Sequence, residues 1–275
     1  MRMRVVLPKA IIFAGLLALS MLMLMPFAWM ISSSLKTHME VFIFPVQWIP
    51  TSPQWGNYRA IFNIIPMSTF FRNTLTLTVV ITFLQVVTSS FAAYGFSRLK
   101  WRGRDVLFLA YVGTIAVPWQ SFMIPQFIMM RSFGLVDTLW AMIFLQSFSA
   151  FGVFLMRQYY MSIPEELSEA ARIDGLNEYG IYARIILPLT KPAVATLVIL
   201  TSTFVWNDFM GPLIYLSSQR NMTVQVGLQM FVGLHDSLYA YIMAGSVLSI
   251  LPLATVFFLA QKYFVEGIAA SGVKG

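Results

Sequence analysis

Five stretches of the chain run without a charged residue: 10–35, 73–97, 106–130, 138–156 and 237–261. Each meets the length of about 20 apolar residues that a helix needs to cross a hydrocarbon core. Residues 192–207 are also uncharged but short, closed off by Lys191 and Asp208. The apolar passage ARIILPLT extends this run backwards and Lys191 can snorkel, so a sixth span is placed at 185–207. The passage FMGPLIYLSSQ, residues 209–219, is too short and too broken by Gly-Pro to cross. The pattern predicts an all-α polytopic membrane protein with six transmembrane helices in a single domain, 1–275. The opening MRMRVVLPKA and its apolar run imitate a signal peptide. The run is too long for one and no A-x-A-like site closes it, so it is read as a retained first helix.

Composition points the same way. With 58% of 275 residues hydrophobic, a water-soluble fold would leave too much apolar surface exposed. The chain has no cysteine, which excludes disulfides, thiolate metal sites and a thiol nucleophile. Its two histidines, His38 and His235, fall in connections between spans and are read as surface residues, and the eighteen methionines as packing.

The net charge of +7 reflects topology rather than nucleic-acid binding, because the cations lie between apolar segments. With the N-terminus in the cytoplasm, thirteen of the eighteen Lys and Arg residues fall on the inside, as the positive-inside rule requires. Both termini are then cytoplasmic, in a bacterial or archaeal cytoplasmic membrane. The outer connection 36–72, with FPVQWIPTSPQW, places tryptophans at the lipid boundary.

One inner connection is unlike the rest. Residues 164–192, PEELSEAARIDGLNEYGIYARIILPLTKP, hold five of the eleven acidic residues. Ser162 and Glu165 have capping-box spacing, and Pro164 suits a first turn. Glu165, Glu166 and Glu169 lie at the positive end of that helix, which should stop near Gly175 in a left-handed C′ position. Asn177 can cap a second short helix ending before Pro188. Acidic residues and alanines make a poor lipid-seeking face, which is normally basic and bulky. Small residues instead allow another protein to approach closely, so residues 162–188 are read as a protein socket.

The spacing of Glu169-Ala170-Ala171, Gly175, Ile185 and Leu187-Pro188 resembles the EAA signature of ABC-importer permeases. Asp174-Gly175, VWNDFMGPLIYLS and the ending KYFVEGIAASGVKG are similar to the sugar-permease branch, of the maltose-permease second-subunit type. The resemblance covers essentially the whole chain. It implies a type I ABC importer permease fold with a cytoplasmic coupling helix that docks into a separate ATPase. Glu169, Ala170, Ala171, Arg172, Asp174 and Gly175 would form the docking element. Ala170 and Ala171 would give close contact, Gly175 the bend, and Glu169, Asp174 and Arg172 charge pairing. The tail, Gly267 to Gly275, would also reach the ATPase. The implied partners are a second homologous permease, two ATPase subunits and an extracytoplasmic solute-binding protein.

The chain carries no P-loop: Gly175 and Gly180 have the right separation but are followed by Ile181-Tyr182, not Lys and Ser or Thr. No cofactor is expected on it; ATP and magnesium belong to the partner, and the chain is a transport subunit rather than an enzyme. Candidates for the solute path are Gln85, Gln120, Gln146, Trp206, Asn207 and Asp208, since a stacked aromatic with amide and carboxylate groups suits a saccharide. Polar residues in membrane bundles also serve to join helices. Pro118, Pro125 and Pro252 would permit bends. Import of glycerol phosphate would need cations in the path, and no Lys or Arg lies deep in any span. An intramembrane hydrolase would need paired acids or a Ser/His pair at depth. A channel would leave the EAA loop unexplained.

Overall fold

The computed structural model describes residues 3–233 and 237–272, so His235 and the last three tail residues fall outside it; side chains are described for residues 9, 11–233, 237–259 and 261. Among the described residues there are helices and turns but no strand. The helices are α1 (Met3–Ser34), α2 (Gly56–Ile64), α3 (Met67–Ser97), α4 (Arg104–Gly113), α5 (Met123–Ser132), α6 (Leu139–Gln146) and α7 (Ala150–Met161). They continue as α8 (Glu166–Ile173), α9 (Glu178–Ile181), α10 (Leu187–Leu189), α11 (Lys191–Trp206), α12 (Met210–Tyr215), α13 (Val224–Gln229) and α14 (Tyr239–Gly272). The sequence suggested one domain; the chain gathers into two compact units, Met1–Met67 with Gly227–Leu251, and Ser68–Val226 with Pro252–Gly275.

In the first unit, polar groups fasten the end of α1. Ser34 Oγ meets the Tyr58 hydroxyl at 2.7 Å, and Asn57 Nδ2 donates to the carbonyls of Ser34 and Lys36. Lys36 is buried with its ammonium 4.4 Å from the Trp29 ring centroid, and Trp29 meets Trp48 edge to face. Burial lowers the Lys36 pKa, and the nearby Glu40 carboxylate works against that shift.

The second unit has two cores. One gathers Ala93, Tyr94, Met156, Tyr160, Ile181 and Ile186; the other gathers Leu77, Ile81, Met130, Met142, Val205 and Tyr215.

Three helices are each long and apolar enough to cross a membrane: Ile11–Ser34, Met67–Ser97 and Tyr239–Leu259. Two bent pairs, Leu139–Gln146 with Ala150–Met161 and Glu178–Leu189 with Lys191–Trp206, raise the number to five. The expected continuous span 106–130 is not among them. Two single 3-10 turns, Thr114–Ala116 and Trp119–Ser121, interrupt it between α4 and α5. Pro118 is the physical reason, because its ring forces Val117 into an extended conformation and removes a donor. In contrast α14 runs unbroken past Pro252 and continues through residues 262–272 of the expected tail.

Pro188 does not end the second short helix of residues 162–188 as expected. The chain stays helical from α9 through α10, with a π turn at Tyr182–Ile186 and Leu187 N–H donating to Tyr182 O. A proline at 188 cannot donate to Arg184, and the wider turn takes up the mismatch.

Candidate functional site

The helix–turn–helix of residues 162–188 is built as expected at its bend but not at its start. Ser162 is no N-cap. Its backbone is helical at φ −78°, ψ −12°, it closes α7, and its hydroxyl donates to Tyr159 O at 2.8 Å. A capping side chain needs an extended backbone, and α7 continuing to Met161 takes that away. The α8 helix starts instead from Glu165, whose carbonyl accepts from Ser168 and Glu169 N–H.

At the other end Gly175 sits at φ 84°. Its N–H donates to Arg172 O and that of Leu176 to Ala171 O, both at 3.0 Å, a Schellman closure that only glycine enters without strain. Asn177 then caps α9, accepting Gly180 N–H at 2.8 Å.

The two alanines part company. Ala171 is 3% exposed and packs into the core with Ala93 and Tyr94, so it anchors the element and cannot give the outward contact expected of it. Ala170 faces out, with Glu169 and Asp174. Arg172 is engaged internally, its Nε 2.8 Å from Glu178 Oε1, and this pairing raises its pKa. Glu178 also accepts from the Tyr94 hydroxyl at 2.6 Å, tying the turn to α3. The outer face is apolar at Leu167, Ile173 and Tyr179, and Ile173 is 87% exposed.

Cations counted from sequence only for topology hold this element down. Arg98 donates to Ile163 O at 2.7 Å and also to Tyr160 O. Burial lowers the Arg98 pKa, a cost these backbone acceptors offset. Arg157 donates to Phe96 O, pairs with Asp105 at 3.0 Å and lies over the Phe108 ring. Lys100 meets Glu165 at 3.0 Å, and that hydrogen bond lowers the Glu165 pKa.

The solute-path candidates divide into three groups. Gln85 is a joint: its Nε2 donates to Gln146 O at 2.7 Å and its Oε1 accepts from Thr201 at 3.0 Å. Thr88 donates to Ser147 O at 2.9 Å. These two carbonyls lie at the 40° bend between α6 and α7, where a helix end leaves acceptors unpaired and side chains of α3 supply the donors.

Gln120, Gln146 and Asp208 form the second group. They line one cavity of about 480 Å³, together with Trp119, Phe204 and Tyr215. Gln146 Nε2 donates to Asp208 Oδ2 at 2.7 Å, and Gly211 N–H donates to Asp208 Oδ1 at 3.1 Å. Trp119 and Gln126, which sequence reading missed, are joined there at 2.9 Å between Nε1 and Oε1. Pro118 was their only signal.

The third group stands apart. Trp206 is 2% exposed, packs near Phe71, and borders a different, largely apolar cavity with Leu75 and Phe83. Asn207 is exposed, and its amide donates to Thr203 O.

Apolar helices whose breaks open onto amide, carboxylate and aromatic groups are what a membrane permease requires: lipid-compatible outside, hydrogen-bonding within. Residues 85–269 match the family described as binding-protein-dependent transport system inner membrane component, and the chain belongs to this family of ABC transporter permeases. It is 34% identical over 261 residues to the arabinooligosaccharides transport system permease protein AraQ of Bacillus subtilis, covering 94% of this chain and 92% of the relative. It is 36% identical over 207 residues to AraQ of Halalkalibacterium halodurans, covering 75% and 74%. Its fold is similar to a chain from a bacterial ABC transporter involved in the import of the acidic polysaccharide alginate. The TM-score is 0.81 with 28% identity, over 93% of this chain and 96% of that one.

Proposed function

We propose that this chain is a permease subunit of an ATP-driven importer that carries a sugar or oligosaccharide across the cytoplasmic membrane. An extracytoplasmic binding protein delivers the solute, as the family description implies. A second homologous permease completes the path, and two cytoplasmic ATPase subunits, using ATP and magnesium, drive it. Both termini and residues 162–188 lie in the cytoplasm, with six spans when the broken 106–130 stretch is counted. The sugar assignment draws on the arabinooligosaccharide relatives.

One observation carries the coupling role: a helix–turn–helix clamped to its own core through Ala171, Arg98 and the Arg172–Glu178 pair still presents Leu167, Ala170, Ile173 and Tyr179 outward. A rigid element with an exposed apolar and acidic tip fits a protein socket better than a lipid surface. Closure of the ATPase pair on ATP would push this element as one piece and so move α7, α11 and the breaks above them.

The test is recovery of partners from native membranes in mild detergent. Wild type should bring down an ATPase and a second permease. Glu169→Lys and Gly175→Trp should lose the ATPase while keeping the permease. A wild type that recovers no ATPase, under conditions that preserve other ABC complexes, defeats the proposal.

A further inference from the structure

The cavity beside the Pro118 break has a chemistry that the family assignment leaves undetermined. We infer that it is a saccharide subsite on this chain, built for neutral oligosaccharides and set against uronates. The inference rests on the sugar-permease reading above and adds the class of sugar.

Three observations carry it. First, the cavity has aromatic walls, and Trp119 is pinned by its 2.9 Å bond to Gln126, so the ring is held before any ligand arrives. Phe204, on α11, is 65% exposed. Flat rings of this kind pack against the C–H faces of pyranose and furanose units, and pre-ordering them lowers the entropy cost of binding.

Second, the polar groups are amides and one carboxylate, the donors and acceptors that hydroxyls need. The Gln146 side chain is only half used. Its Nε2 donates to Asp208, while its Oε1 is buried with no hydrogen-bond partner among the described residues. Leaving such an acceptor unpaired is unfavourable, and a turn of the amide that brings Oε1 to a ligand hydroxyl would remove that penalty. Asp208 takes one bond on each oxygen, from Gln146 and Gly211, and a carboxylate has about four acceptor positions.

Third, no Lys, Arg or His lines this cavity among the described residues, and its one charged group is Asp208. A uronate brought there meets a like charge with no cation to compensate, whereas a neutral sugar meets only acceptors and donors. The Asp208 carboxylate therefore both binds hydroxyls and selects against acidic sugars. A purely structural strut between α6 and the turn before α12 would bring the Gln146–Asp208 bond but would carry no preference between sugars.

The experiment is saturation-transfer NMR on the full-length chain in nanodiscs, with arabinopentaose, maltopentaose and tri-galacturonate as probes at millimolar concentration. Wild type should pass saturation to ring protons of at least one neutral pentasaccharide and about tenfold less to tri-galacturonate. Trp119→Ala should lose most of the neutral signal and Trp119→Phe should keep part of it. Asp208→Asn should gain tri-galacturonate signal several-fold, a gain that misfolding does not produce. Equal signals for neutral and acidic probes in wild type overturn the inference, as does an unchanged neutral signal in Trp119→Ala. Should Trp119→Ala fail to fold, Trp119→Phe and Asp208→Asn decide. Absence of any saccharide signal also overturns it, while the permease reading stands or falls separately on recovery of the ATPase.

Discussion

Gly152 on α7 packs directly against Ser89 of α3 and Leu197 of α11. A Cβ added there would sit 2.4 Å from Ser89 Oγ, 3.1 Å from Ser89 Cβ and 3.3 Å from Leu197 Cδ1. Turning the Ser89 hydroxyl away relieves the first contact but not the second. Carbon atoms prefer about 3.5–4.0 Å, so α3 and α7 must part by a few tenths of an ångström. Overpacking of this kind costs about 1–3 kcal/mol. Against it, alanine in a helix interior is about 1 kcal/mol better than glycine. Leu197 Cδ1 ends a flexible side chain, but Ser89 Cβ is fixed to the α3 backbone and no rotamer change removes it. Packing should therefore win, and Gly152→Ala should lose about 1 kcal/mol net. Ser89→Gly removes both Ser89 contacts, so the double variant should recover most of the packing loss, with a coupling of about 1–2 kcal/mol across the pair. Thermal unfolding in detergent, followed by tryptophan fluorescence across the four-protein cycle, measures this. A Gly152→Ala variant more stable than wild type by about 1 kcal/mol would mean that propensity alone operates and that the close approach of α3 and α7 is absent.

Further consequences can be checked in the same preparation. Gly175→Ala meets no atom within 4 Å but must hold φ 84°, so it should destabilise the turn by about 1–2 kcal/mol, seen as faster amide exchange confined to residues 166–189. The Arg172–Glu178 pair is partly exposed, and a double-alanine cycle should give a coupling of about 0.5 kcal/mol that shrinks with added salt; no coupling at low salt would remove the pair from the clamp. Asp137, at φ 61°, accepts from the Ser218 hydroxyl, from Ser218 and Ser217 N–H, and from Asn221, and these bonds hold its pKa well below the usual carboxylate range. A depressed folded pKa stabilises fully above the unfolded value of about 4 and is lost as pH falls towards the folded value. Wild type should therefore lose thermal stability below about pH 4, relative to an Asp137→Asn variant that is less stable by about 1 kcal/mol at neutral pH and flatter with acid. Parallel acid profiles for the two proteins would dismiss this role.

What could be read from sequence was whatever depends on near neighbours. The uncharged runs became α1, α3 and α14, and the Gly175 bend and the Asn177 cap formed where their residue types require. Ser162 shows the limit of local pattern, since its capping-box spacing is real but α7 reaches Met161 and uses the serine first. The bend between α6 and α7 has no proline to announce it; it persists because Gln85 and Thr88, about 60 residues earlier, supply donors to its carbonyls. Ala170 and Ala171 look alike in sequence, and only the packing of α8 on α3 decides which one is free. Trp119 and Gln126 were hidden because the charge-free run 106–130 conceals a helix break whose effect is to build a cavity wall.

The claim that residues 162–188 meet a cytoplasmic ATPase is tested most directly by cross-linking from the tip of that element. The chain has no cysteine, so Ile173→Cys places a single thiol on the side chain that stands 87% exposed there. In inside-out vesicles a short thiol-to-amine cross-linker should join it to an ATPase subunit, with a yield that changes when ATP is added. A cysteine in place of Met39, which the proposed topology puts on the opposite side of the membrane, should give no such product. Cross-linking of Ile173→Cys only to lipid or to other copies of this chain, with no ATPase product in either nucleotide state, would contradict the claim.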